Sequence, residues 1–235
     1  MRVALQGASG SGKTYSALRL AFGMSKGTDI AIIDTENGSA HLYSSLGNYQ
    51  VVQLSAPYTP ERYIEALELC VKHQVGVVII DSLSHEWEGH GGILEMHGAS
   101  SGSNSFANWA RITPRHNALV QCMLSLPMHV IATLRSKQEY TLQKDDRGRA
   151  VPQKIGMKPV QRDGIDYEFT TVLQVTMDHK ATAAKDRTGL FPLDTPFLIT
   201  EEVGKRLLAW AEDTPSTPAS LSTNHINEYQ NAYGN

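Results

Sequence analysis

The sequence predicts an α/β domain: a mostly parallel sheet with helices on both faces and antiparallel strands near its C-terminal end. Three observations carry this. The run Gly7-Ala8-Ser9-Gly10-Ser11-Gly12-Lys13-Thr14 stands between an apolar stretch, Val3 to Leu5, and a helix-patterned segment, Tyr15 to Met24. Further apolar runs alternate with helical ones along the chain, the pattern of parallel strands joined by crossovers. Two of those runs end in carboxylates, and open α/β sheets bind ligands at the carboxyl ends of their strands.

The elements follow in order. Val3 to Leu5 is the first strand and Tyr15 to Met24 the first helix. Asp29 to Asp34 reads as a buried strand and Val51 to Leu54 as a shorter one. Thr59-Pro60-Glu61 opens a helix with a capping hydroxyl, proline at its first position and an acidic first turn. Ile64, Leu67 and Val71 are expected on its buried face. Gly76 to Asp81 is the strongest buried strand. A Gly/Ser-rich stretch from 89 to 105 precedes a helix from Phe106 to Leu124, and Met128 to Leu134 is the next strand. A polar, basic stretch runs from Arg135 to Asp163, with a hairpin expected around Tyr140 to Pro152. Phe169 to Met177 and Phe197 to Thr200 read as closing strands, and Glu201 to Glu212 as a last helix capped by Thr200.

The chain has 235 residues, 41% hydrophobic and 19% charged, with net charge −3. That is one ordinary globular domain, here residues 1–212, and any basic surface must be local. From Asp213 the composition turns to Pro, Ser, Thr and Asn, predicting a flexible polar tail over 213–235 or a docking peptide. No run of apolar residues is long enough to span a membrane, and no leader is expected. Cys70 and Cys122 lie in apolar helical patterns, as reduced core residues of a cytoplasmic protein would.

The glycine-rich run is a phosphate-binding loop. Its glycines let backbone N–H groups face phosphate oxygens at the positive end of a helix. Gly7, Ser9, Gly10, Ser11, Gly12, Lys13, Thr14 and Tyr15 form the expected nucleotide cradle, with Lys13 on the β/γ-phosphates and the Thr14 hydroxyl on Mg²⁺. Val77 to Asp81 completes the pair: a buried strand delivering Asp81 to the metal. At the end of another strand, Ile33-Asp34-Thr35-Glu36 supplies a carboxylate, Glu36, placed to deprotonate the water that attacks the γ-phosphate. Arg135, just past a strand, is a candidate γ-phosphate sensor. His85-Glu86-Trp87-Glu88-Gly89-His90 is near a zinc-protease helix, but its histidines are five apart and point to different sides of a helix.

Strands ending Asp-x-Glu and Asp-Ser behind this loop resemble the RecA-type ATPase core, in which the Glu of Asp-x-Glu is the catalytic base. That maps to Glu36. Lys185-Asp186-Arg187 resembles the paired basic residues that recombinases and ring helicases reach across a subunit interface, a finger stabilising transition-state charge. At Arg135 the recombinases carry a polar amide. Taken whole, the chain is similar to phage and mobile-element AAA-type ATPases, and among these to the Sak-type single-strand annealing proteins. No N-terminal oligomerisation domain is expected ahead of the first strand.

That resemblance implies ATP and Mg²⁺ as cofactors and DNA-stimulated ATP hydrolysis. It also implies a homo-oligomer, ring or filament, acting on single-stranded DNA in annealing or recombination, with a single-strand-binding protein as a further partner. The location would be the cytoplasm of a bacterial host. The two DNA-facing loops of such cores would be 89–105, with His90 and His97, and 137–162. The second carries seven basic residues, Lys137, Lys144, Arg147, Arg149, Lys154, Lys158 and Arg162, against three acidic ones. Phe106, Trp109 and Tyr140 are candidate stacking residues or core. Two other readings stay open: a small-molecule P-loop kinase with the basic stretch as its lid, and a non-hydrolysing ATP-switched scaffold for replication proteins.

Overall fold

A computed structural model describes residues 1–99, 104–144, 150–192 and 194–213. β1 (Arg2–Gly7) leads into α1 (Lys13–Met24), then β2 (Ile30–Asp34), β3 (Gln50–Gln53), α2 (Pro60–Lys72) and β4 (Val77–Asp81). Three helices follow: α3 (Ser84–Glu88), α4 (Ile93–Ala99) and α5 (Ser105–Ser125). β5 (His129–Lys144), β6 (Ala150–Pro159), β7 (Thr171–Val175), β8 (Lys180–Asp186), β9 (Phe197–Leu198) and α6 (Glu201–Asp213) complete the described chain.

The sheet runs β3-β2-β4-β5-β1-β7-β8-β9, with β6 paired to β5. β1 to β5 and β7 pair in parallel, while β6, β8 and β9 are antiparallel. The predicted α/β class therefore stands. Register aligns Gly7 with Arg135 and Asp34 with Asp81, so the phosphate loop, Arg135 and both carboxylate-bearing strand ends leave the sheet along one edge.

Both faces of the central strands are covered, which is why they read as continuous apolar runs. Val78 and Ile80 pack with Tyr63, Leu67 and Cys70 of α2 and Leu119 and Met123 of α5. Val77 and Ile79 face the other way, toward Leu18, Leu20 and Ala21 of α1 and Leu207 of α6. The guanidinium of Arg2 donates to the carbonyls of Met123, Leu124 and Leu126, closing the C-terminal end of α5.

Four sequence expectations need correction. The buried face of α2 is Pro60, Tyr63, Ala66, Leu67 and Cys70, so Val71 is exposed and Ile64 only half-buried. The 89–105 stretch contains α4, which carries His97. β5 does not stop at Leu134 but continues to Lys144 and turns back as β6. Thr59 is the N-cap residue of α2, but its side chain makes no capping hydrogen bond. Cys70 and Cys122 are free thiols, and burial pushes Cys70 up to about 11. The tail beyond 213 lies outside the described residues.

α1 and α6 cross at two glycines. A Cβ on Gly23 would sit 2.0 Å from the Glu201 carbonyl oxygen, and one on Gly204 would sit 2.4 Å from that of Leu20. An open helix gains about 1 kcal/mol from Gly→Ala. Here the clash is with backbone, and Gly204→Ala is expected to destabilise by about 2 kcal/mol in a urea melt.

Candidate nucleotide site

The phosphate loop closes as its sequence demands. Gly10 and Gly12 sit at φ +81° and +91°, where a side chain would be strained, and Gly12 ends the loop at the first turn of α1. Lys13 Nζ donates to the Ala8 carbonyl at 2.8 Å, across the loop it is expected to fill with phosphate. Burial pulls its pKa below the ordinary lysine value. Behind the loop, the Thr14 hydroxyl donates to Asp81 at 2.6 Å, and the Thr133 hydroxyl donates to the other carboxylate oxygen at 2.5 Å. Burial pushes Asp81 up, against the pull of these two hydroxyls. The peptide bond from Asp81 to Ser82 is cis.

The Asp-x-Glu sequence divides into two jobs. Asp34 is fully buried and accepts from the backbone N–H of Glu36 at 2.6 Å and of Ala40 at 2.9 Å, so it shapes the turn. Glu36 points into the cleft, where Arg135 grips it with two bonds of 2.6 and 3.0 Å. Burial works against the charge on Glu36, but the guanidinium outweighs it and holds the carboxyl below the usual range. The same bond raises Arg135. The proposed base and the proposed sensor are thus partners in this conformation.

The cleft has a volume of about 1040 Å³ and is lined by Ser9, Gly10, Gly12, Lys13, Thr14, Tyr15, Glu36, Asp81 and Arg135. Gly7 and Ser11, also expected in the cradle, do not line it. Ser11 is fully buried with its hydroxyl against Gly7, so both brace the loop from behind. Several lining residues were not foreseen: Arg19, Ser39, Tyr43, Ser136, His179 and the segment Leu198 to Thr200. His179 Nδ1 lies 3.0 Å from the Ser11 carbonyl, bringing the β7–β8 turn against the loop. The Ser39 and Ser136 hydroxyls are buried without partners among the described residues, which suits a ligand rich in acceptor oxygens. Thr14 and Asp81 form a hard-oxygen pair that fits Mg²⁺, a cation that keeps most of its waters and takes one or two protein oxygens. Bound there it would neutralise phosphate charge.

This combination of a glycine loop, a strand-end aspartate and hydroxyl partners is that of a P-loop nucleotide site. The family model described as AAA domain matches residues 1–218. The chain belongs to the AAA domain family. No curated protein matches it.

The AAA domain brings Lys13, Thr14, Glu36, Asp81 and Arg135 together, and leaves Lys185 and Arg187 outside its cleft. Lys185 Nζ donates to the carbonyls of Asp166 and Tyr167 at 2.7 and 2.9 Å, and Arg187 to that of Tyr167 at 3.2 Å. The two do share a side, as their spacing predicts, but in this conformation they hold a turn of their own chain. Of the basic residues, Lys137 lines the mouth of the AAA cleft. Lys158 pairs with Asp163 at 2.7 Å, and Arg162 donates to Asn117 at 3.2 Å. Lys144 and Lys154 are described as strand backbone only. Arg147 and Arg149 lie outside the described residues.

Around α3 the histidines have local partners. His85 Nδ1 lies 2.7 Å from the Thr35 hydroxyl and its ring stacks on Tyr58, while His90 pairs with Glu95 at 2.9 Å. Glu86 turns into the core, 3.0 Å from His116 Nδ1 and 3.1 Å from the Gln161 amide. Phe106 is 88% exposed, whereas Trp109 is engaged with Trp87 and His97. Among the described residues, no helix is long and apolar enough to cross a membrane.

Proposed function

We propose that the protein is an ATP- and Mg²⁺-dependent ATPase that acts on single-stranded DNA, promoting strand annealing or homologous recombination as a homo-oligomer. The observation that carries this reading is a single strand. β5 sets Thr133 on Asp81, Arg135 on Glu36 and Lys137 at the cleft mouth. It then runs on to Lys144 and returns as β6 through the basic 137–162 segment. A phosphate backbone held along this hairpin would bear on the same strand that carries Arg135, so DNA binding and release of Glu36 can be one movement. Glu36 is the base, Lys13 and Thr14 hold phosphate and Mg²⁺, and Asp81 completes the metal site. Lys185 and Arg187 are the finger, exchanging their carbonyl bonds for a neighbour's γ-phosphate.

The test is ATP turnover by the purified protein with and without single-stranded DNA, at low and moderate salt. Stimulation by DNA that fades as salt rises is the expected result. Turnover indifferent to DNA, together with no DNA binding, would overturn the reading in favour of a small-molecule kinase. Bound ATP with no turnover in any condition would favour a nucleotide-switched scaffold.

A further inference from the structure

A second groove, of about 460 Å³, opens beside the nucleotide cleft. Its two walls differ in chemistry. One wall comes from the helices: Trp87 of α3, Leu94 of α4 and Trp109 of α5. The tryptophan rings stack at 5.9 Å and 20°, and His97 stacks on Trp109 at 4.3 Å and 25°. The other wall comes from the root of the β5–β6 hairpin and the turn after it, with Lys137, Lys158 and Arg162. Glu88 and Asp163 also border the groove, and Asp163 is paired with Lys158. Lys137, Glu88 and Val160 line both this groove and the nucleotide cleft, so the two are contiguous.

An aromatic wall facing a cationic wall fits an amphipathic ligand: a flat apolar ring attached to an anion. We infer that this groove is a base-binding subsite for an unpaired nucleotide of single-stranded DNA, its base against the Trp87–Trp109 wall and its phosphate toward Lys137. The inference rests on the proposed function and adds to it a base-dependent contact beside the hairpin's contacts with phosphate. A stacked, paired base cannot present its face to this wall, so the groove selects single strands over duplex. Phe106, 88% exposed one turn before Trp109 on α5, extends the same aromatic face. Lys137 has no ion pair among the described residues and lies between the two sites, so it is the contact through which an occupied groove would be felt at the cleft.

The experiment compares a short oligothymidylate with an abasic deoxyribose-phosphate strand of the same length, which keeps the charge and lacks the bases. Binding is read by fluorescence anisotropy at fixed salt. The wild-type protein is expected to bind the abasic strand on the order of tenfold more weakly, and Trp109→Leu to bind the two strands equally. Should that variant misfold, tryptophan emission of a Trp210→Phe protein serves instead: the thymidylate quenches it and the abasic strand does not. Equal wild-type affinity for both strands, or equal quenching by both, overturns the groove assignment while leaving DNA binding intact. Failure to bind either strand overturns the functional reading, and the groove falls with it.

Discussion

Glu36→Gln is expected to bind ATP with wild-type affinity and lose turnover by about 10²- to 10⁴-fold, the range a positioned general base supplies. The groups proposed to hold the nucleotide and its metal, Lys13, Thr14 and Asp81, are untouched by the change. The glutamine amide keeps the shape of the side chain and can still accept from Arg135, so the local fold should persist. What is lost is the carboxylate at the end of β2 that faces the cleft. Nucleotide titration and single-turnover hydrolysis on the same preparation separate the two quantities. Unchanged turnover would remove Glu36 from the mechanism and leave its bond to Arg135 as a purely structural tie.

The largest stability effect is expected in the core beneath α3. Glu86 is fully buried, and among the described residues its carboxyl is met by His116 at 3.0 Å and Gln161 at 3.1 Å. His116→Leu leaves that carboxyl with the Gln161 amide alone. Stranding one member of a buried pair costs about 3 kcal/mol or more, which for a domain of this size lowers the melting temperature by about 10 °C. Replacing both members, Glu86→Leu with His116→Leu, should recover most of the loss, because an apolar pair strands nothing. A double variant no more stable than His116→Leu would mean that packing of His116 against Trp87, 5.7 Å away, is what matters.

What the sequence revealed was what lies close together along it. The phosphate loop between β1 and α1, the buried strands and the carboxylates at their ends each occupy a few consecutive residues, so pattern alone located them. The pairings were harder to see. Glu36 and Arg135 are 99 residues apart and look like separate devices along the chain, though their bidentate bond makes them one. Thr133 reads as an ordinary β-branched residue, and only the parallel pairing of β4 with β5 brings it onto Asp81. The buried Glu86 hides inside a charged, histidine-rich hexapeptide whose composition resembles a surface or metal-binding segment. α4 carries little sequence signal because its seven residues lie in glycine-rich chain and include one internal glycine, Gly98. Val71 shows the limit of periodicity: spacing gave the right helix and a stripe rotated too far, since Tyr63 and Cys70, not Val71, complete the face toward Leu67.

Gly23 and Gly204 bring the backbones of α1 and α6 together, so a load on one helix is borne by the other. α1 starts at Lys13, the residue that would grip phosphate, about 18 Å from its far end. α6 is the last described helix and ends at Asp213. A tether, a fusion or a neighbouring molecule pulling on the chain after α6 therefore pulls on the helix that presents the phosphate loop, and the C-terminal side of the molecule becomes a mechanical handle on nucleotide affinity.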